Sequence, residues 1–160
     1  EYGGGGNGFE SYSAAWYFGT HHTKLDCWNR GKRGIIITIG DERLNPYLPI
    51  RSRCSGLIAT LGDNLEKDVE TPELFEEASK KFDIYHIHVN HGSNYDKEGI
   101  EKSFKSIIEE NHFKEATLDN IAETIVNIIV DAAENDVNTI ITPATTPTQV
   151  STNENGEIVW

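Results

Sequence analysis

Two groups of residues carry chemistry by type and spacing. The run Ile35-Ile36-Ile37-Thr38-Ile39 breaks into Gly40, Asp41 and Glu42, which places carboxylates just past a continuous apolar segment. Apolar residues at both parities mark a strand covered on both faces, the pattern of a central strand in a parallel sheet. Ligands of open α/β sheets sit beyond the carboxyl ends of such strands. Asp41 is therefore a candidate metal-binding or ligand-binding carboxylate, with Gly40 letting the backbone turn sharply there. Capping the following turn is the alternative role for Asp41. In the second group, His86, His88 and Asn90 alternate within Asp83 to His91, so they share one face of a strand, with Tyr85, Ile87 and Val89 on the other. Imidazoles spaced in this way can converge on a metal ion. More often, histidines in this pattern lie buried beneath a helix or hydrogen-bonded at the sheet end, and that is the stronger reading here. His91-Gly92-Ser93-Asn94 then forms the loop beyond this strand, close to Asp41 if the two strands are parallel neighbours.

Several elements must position these residues. Gly3 to Gly6, Asn7 and Gly8 form a glycine loop. Gly3, Gly5 and Gly8 match G-x-G-x-x-G, but that phosphate-binding fingerprint needs a preceding strand. A helix is expected from about Phe9 to His21, with Phe9, Tyr12, Ala15, Trp16 and Gly19 on one face and Asn7 as N-cap. Trp28 lies in the polar connection that follows and suits a plug over the sheet end. A short helix fits between Ile50 and Leu61. Thr71-Pro72-Glu73 is a helix start, with an N-cap hydroxyl, a first-turn proline and a carboxylate favourable to the helix dipole. That helix carries Leu74, Ala78 and Phe82 and stops near Lys81. Ile100, Phe104, Ile107 and Ile108 give another amphipathic helix, Phe113 to Thr117 a third strand, and Ile121, Ala122, Ile125, Ile128, Ile129 and Ala132 a last helix to about Glu134. Alternating strands and helices imply a doubly wound, mainly parallel sheet with helices on both faces and right-handed crossovers, a three-layer Rossmann-like α/β fold. Residues 1–136 make this domain. Residues 137–160 change to Thr, Pro, Asn and Ser, and read as a tail or linker, with Thr142 to Asn155 lacking periodicity. Ile140-Ile141 and Ile158-Val159-Trp160 are its apolar points, suited to a sheet edge or a neighbouring domain.

With 160 residues the chain suits one domain and one core. Its net charge of −12 excludes nucleic acid and an anionic membrane surface as main partners, since both need an electropositive footprint. Cations fit better, although a solvated acidic exterior gives the same balance. Cys27 and Cys54 have no metal-type spacing, so a disulfide framework is not expected and a reducing compartment fits. No apolar run reaches membrane-spanning length, and the amino end has no signal-peptide pattern. A soluble, cytoplasmic protein is expected. The chain contains no methionine, and Glu1 need not be the natural start.

The order Gly3-Gly4-Gly5-Gly6-Asn7-Gly8-Phe9-Glu10-Ser11-Tyr12, then Asp26-Cys27-Trp28, then Ile37-Thr38-Ile39-Gly40-Asp41-Glu42 resembles bacterial and phage von Willebrand factor type A-like domains. The likeness runs from about Tyr2 to Ala133, with Tyr85 to Val89 matching a later strand and Asp119 to Ile129 the last helix. The resemblance implies a doubly wound fold and a divalent cation, magnesium or manganese, held by three loops at the carboxyl end of the sheet. Asp41 matches the aspartate of the third loop. The glycine segment matches the second, with Asn7 and Glu10 where a threonine is usual. The first loop, D-x-S-x-S, has no counterpart: Ser11-Tyr12-Ser13 has serines, but Phe9 stands where aspartate belongs. The resemblance therefore implies the carboxyl-terminal portion of such a domain, with the early strands lying before Glu1. Asp41 and Asn7 are the implied metal ligands, with Glu10, Glu42, His88 and Asn90 as further polar site residues. One aspartate with an asparagine is an incomplete set for a hard cation.

The implied function is that of a protein-interaction module, binding a partner carboxylate through the cation without catalysis. The alternative is a metal-dependent hydrolase using His86, His88 and Asp41, with His91 as a further ligand, to activate water. Nucleotide binding at the glycine loop is a third option. An apolar edge left on the Ile35 to Ile39 strand would favour self-association.

Overall fold

The structure is a computed structural model that describes residues 9–49, 61–89, 96–141, 151–152 and 158–159. Its centre is a parallel sheet of β2 (Gly34–Gly40), β6 (Phe82–Val89) and β7 (Phe113–Ala116), in the order β2-β6-β7. Around it lie β1 (Phe9–Glu10), α1 (Tyr12–His22), β3 (Arg43–Leu44), β4 (Tyr47–Leu48), β5 (Val69–Glu70), α2 (Thr71–Ala78), α3 (Lys97–Lys105) and α4 (Ile121–Ile141). The short strands form separate pairs, β1 parallel with β3 and β4 antiparallel with β5. Ser151–Thr152 (β8) pairs antiparallel with Ile158–Val159 (β9), within the segment expected as a tail.

The alternation of β6 separates two apolar layers. Phe82 and Ile84 pack with Tyr12, Trp16 and Tyr17 of α1, Leu74 and Ala78 of α2, and Ile100 and Phe104 of α3. Tyr85 and Ile87 join Ile35 and Ile37 of β2, Ala116 of β7, and Ile121, Ile125 and Ile128 of α4. Helices therefore cover both faces of a parallel sheet, as the alternating pattern predicts, giving a three-layer α/β arrangement. Trp16 and Phe104, both wholly buried, are the large side chains that fill the helix-rich layer.

The differences from the sequence reading have local causes. The amino-terminal helix begins at Tyr12 rather than Phe9, because Phe9 and Glu10 pair with Arg43 and Leu44. Its N-cap is Ser11, with no side-chain cap bond, and Asn7 lies outside the described residues. Tyr17 and Ser13 are buried while Ala15 is exposed, so the buried face is rotated from the expected one. Thr71 does not use its hydroxyl as a helix cap. It is fully buried and donates to the Asn45 carbonyl at 2.6 Å, which ties the start of α2 to the loop before β4. α2 stops at Ala78 and Phe82 opens β6, because Phe82 is needed in the strand opposite Gly34. α4 runs to Ile141, past the expected end near Glu134. The helix expected between Ile50 and Leu61 falls almost wholly outside the described residues, as does Cys54, while Cys27 is a free thiol. Trp28 does sit over the sheet end: its indole donates to the Lys81 carbonyl at 3.1 Å and its ring meets Phe82 edge-on.

The largest difference concerns β2. Among the described residues it pairs only with β6 and so forms an edge of the sheet. Ile35, Ile36 and Ile37 are half-buried and Ile39 is 41 % exposed. Among the described residues a continuous apolar run thus lies at the sheet edge, where its pattern suggests a central strand.

Candidate functional site

β2 and β6 run parallel and end together, Gly40 standing opposite His88. The chain bends at Asp41 and Glu42 before β3 begins. Asp41 is exposed at this carboxyl end, and Glu42 is half-buried beside it. Glu10 reaches the same place through β1, whose pairing with β3 sets it next to Leu44. The Asn45 N–H also donates to the Glu10 carbonyl at 3.3 Å.

Tyr12 organises these acids. Its hydroxyl accepts a hydrogen bond from the Glu42 N–H at 3.3 Å and is hydrogen-bonded to the Glu10 side chain. Burial, followed by the bond to Glu10 and the charges of Glu10 and Asp41, raises the phenol far above its ordinary range, against the lowering effect of the Glu42 bond. Tyr12 therefore holds its proton at any ordinary pH. Its hydroxyl lies against Gly40, where an added Cβ would fall 1.9 Å from it. Gly40 does not have a positive φ, a conformation found among the described glycines only at Gly31 and Gly62. The glycine is required by the close approach of Tyr12, and not by the sharp turn expected from sequence.

Tyr12 thus meets Glu10 through its side chain and Glu42 through its backbone N–H, with the Asp41 charge close enough to act on the phenol. Asn7, Asn90 and His91 lie outside the described residues. Arg43, unmarked in the sequence, fastens the neighbouring β3 to the start of α3: its guanidinium donates to both carboxylate oxygens of Asp96, through Nη2 at 2.6 Å and through Nε. That pairing holds the Asp96 carboxyl below its ordinary range. Leu44 N–H donates to Ser103 Oγ at 3.1 Å, a second tie between the same elements.

His86 and His88 share a face of β6, as expected, and that face is closed. His86 is 0 % exposed and His88 1 % exposed. The His86 ring stacks on Phe104 at 3.6 Å between centroids and meets Tyr12 edge-on at 4.9 Å. Its Nδ1 lies 3.0 Å from the Thr38 hydroxyl, while its Nε2 has no partner among the described residues. Burial, assisted by the neighbouring His88, pulls His86 down to about 3, so the ring is neutral in the native state. Among the described residues neither ring nitrogen of His88 has a hydrogen-bond partner, an unusual situation for a buried imidazole.

A second polar cluster lies on the surface at the end of α1. Tyr17 donates to Asp63 at 2.6 Å, and His22 Nε2 meets the same oxygen at 2.6 Å. Burial and the Asp63 carboxylate push Tyr17 up to about 12. These bonds pin the segment before β5 to α1. A cleft lined by Tyr85, His112, Lys114, Asp131 and Glu134 lies at the amino end of β7, away from Asp41.

Among the described residues, no group of three or more His, Cys, Asp or Glu side chains converges to hold a metal ion. Glu10 is engaged by Tyr12 and the histidines face the packed layer, which leaves Asp41 as the exposed carboxylate. No described helix is long and apolar enough to cross a membrane. No protein-family model, curated protein or solved structure matches the chain.

Tyr12 is the site residue that sequence reasoning missed. Its place on the buried face of α1 was legible, but its contact with Gly40 depends on how α1 crosses β2. The one sequence signal was the glycine itself, placed where a strand needs a side chain and a close neighbour forbids one.

Proposed function

We propose that this chain is a protein-interaction module of von Willebrand factor type A kind, presenting its binding surface at the carboxyl end of the parallel sheet around Asp41. The observation that carries this reading is the exposed Asp41 placed immediately beyond Gly40, against which the Tyr12 hydroxyl packs while accepting the Glu42 N–H, a clamp on the strand end. A carboxylate so placed stands where open α/β sheets bind ligands. Its supporting residues come from a packed helix rather than a free loop, which fixes its starting point on the surface. An interaction role also needs no nucleophile and base in register.

The family resemblance implies magnesium or manganese as the link between Asp41 and a partner carboxylate. The described residues offer one exposed carboxylate and no third donor, and so do not by themselves make that site. The hydrolase alternative finds less support, because a catalytic metal needs a position open to water and substrate, whereas His86 and His88 are closed beneath Phe104 and its neighbours. Zinc bound stoichiometrically and lost in His88→Ala would favour that alternative.

The test is a thermal-shift series with magnesium and manganese on the full chain. A cation that binds only the native state stabilises it by about 2.7 kcal/mol at a hundredfold excess over Kd. The melting temperature should rise in the wild type and Asp41→Ala should abolish the rise, with His88→Ala responding normally. A full response in Asp41→Ala, or none in the wild type, refutes cation-dependent binding at Asp41.

A further inference from the structure

We infer that the edge of β2 left unpaired among the described residues is a self-complementary surface that pairs antiparallel with β2 of a second copy of this chain, centred on Ile37. The inference stands on the strand itself and needs no ligand at Asp41.

Edge strands in stable monomers are usually blunted by proline, by inward charges or by bulges, because their unpaired N–H and C=O groups otherwise template another strand. β2 has none of these devices: from Gly34 to Gly40 it reads Gly-Ile-Ile-Ile-Thr-Ile-Gly. It pairs with β6 over its whole length in unbroken register, so no bulge interrupts the strand. Alternate backbone groups along that edge point away from β6.

The side chains are arranged for a two-fold axis. An antiparallel pairing centred on Ile37 sets Gly34 opposite Gly40 of the second copy, Ile35 opposite Ile39, and Ile36 opposite Thr38. One residue beyond each end, Arg33 of one copy meets Asp41 of the other, and next to them Lys32 meets Glu42. The basic residues open the strand and the acidic residues close it. Only the antiparallel arrangement brings unlike charges together at both ends; parallel pairing would oppose like charges. Arg33, Ile35, Ile37 and Ile39 share the face that carries α4, because Ile35 and Ile37 pack in the layer of Ile121, Ile125 and Ile128, and Asp41 follows at the bend beyond Gly40. Arg33 already contacts Asp83 while remaining 53 % exposed, so it can bridge Asp83 and Asp41 of the second copy.

The same face supplies apolar area. Ile39 is 41 % exposed, Ile129 47 % and Val126 56 %. Asp131 and Glu134 lean toward the β7 side, where they line the cleft with His112 and Lys114. Helical geometry then puts Val126 and Ile129 on the opposite flank of α4, toward β2. Two-fold pairing would join two sheets into one of order β7-β6-β2-β2-β6-β7 and bring these flanks toward each other. The interface is isologous, each contact made twice. Pairing and ligand capture compete for Asp41, so the test reads association alone.

The experiment is sedimentation equilibrium on the full chain over a range of concentrations, with charge-reversal variants. The wild type should be a dimer. Arg33→Glu and Asp41→Arg, each creating two like-charge contacts, should each raise the dimer Kd roughly tenfold or more. The double variant Arg33→Glu/Asp41→Arg should return it to near the wild-type value. Ile39→Lys alters a side chain that is exposed in the single chain, and should give a folded monomer by circular dichroism. A wild-type monomer throughout the range, a dimer unaffected by Ile39→Lys, or a double variant no better than either single variant would overturn the proposal. Dimers that survive all these changes would place the interface elsewhere.

Discussion

Gly40→Ala tests the contact on which the candidate site is built. An alanine Cβ at this position would lie 1.9 Å from the Tyr12 hydroxyl, 2.7 Å from Cζ and 2.8 Å from Cε1. None of these distances is tolerable, so the Tyr12 ring has to move. It is 8 % exposed and held between Phe104, at 5.4 Å between centroids, and His86 at 4.9 Å. Overpacking of this kind costs about 1–3 kcal/mol, and displacing the hydroxyl from the Glu42 N–H adds about 1 kcal/mol. A loss of roughly 2–4 kcal/mol follows, or about 4–16 °C in melting temperature for a chain of this size. Urea unfolding followed by far-ultraviolet circular dichroism measures it. The specific check is a double-mutant cycle with Tyr12→Phe, which removes the nearest of the three clashing atoms. The double variant should be more stable than the sum of the single losses predicts, by at least about 0.5 kcal/mol. Gly40→Ala within about 0.5 kcal/mol of the wild type, or strict additivity with Tyr12→Phe, would refute the clamp.

Phe104→Ala empties the wholly buried position that stacks on His86 and should cost about 3–5 kcal/mol in the same assay; a cost under about 1 kcal/mol would show that the layer does not depend on it. His86 falls from 6.5 to about 3 on folding, chiefly through burial, so below pH 6.5 the unfolded chain takes up a proton that the native chain refuses. Stability is therefore full above that pH and should fall by about 1.4 kcal/mol per unit as the pH drops toward 3. His86→Leu should flatten the upper part of this slope in urea unfolding at successive pH values, and an unchanged slope would count against a neutral buried His86. Asp63→Asn removes the carboxylate that, after burial, keeps Tyr17 high, and ultraviolet-difference titration should show the Tyr17 phenol titrating lower while still above its ordinary value. No change there would mean that Asp63 is not its partner in solution.

The parallel sheet and its two covering layers were legible because they follow from short-range periodicity. Apart from Asp83, Phe82 to Val89 is apolar or aromatic on both faces, as a buried strand requires, and the α4 positions Ile121, Ile125 and Ile128 repeat at helical spacing. Periodicity says nothing about which strand lies outermost. The β2 run has the composition of a central strand, yet its position depends on what pairs with its second edge, a fact absent from its own residues. Helix ends were less legible for the same reason. Thr71 has the chemistry of a cap, but the backbone carbonyl of Asn45 claims its hydroxyl instead.

The site shows the same division between local and nonlocal information. Asp41 was visible because a strand ends there in a glycine and a carboxylate, all within a few residues. Tyr12 was not, because its role arises from a contact across 28 positions of chain with Gly40. The histidines mark the boundary most clearly. Alternating imidazoles on a strand are compatible with a metal site and with a packed layer, and nothing within Asp83 to His91 decides between them. The decision is made by Phe104, which lies over the His86 ring at 3.6 Å and leaves no open position beside it. A phenylalanine on the buried stripe of a helix that follows the strand is readable as core. Once the helix folds back over a parallel strand, it must cover one of the two faces. The identity of the face then determines whether the imidazoles meet solvent or an aromatic ring, and here the ring closes theirs while the exposed Asp41 remains open to a partner.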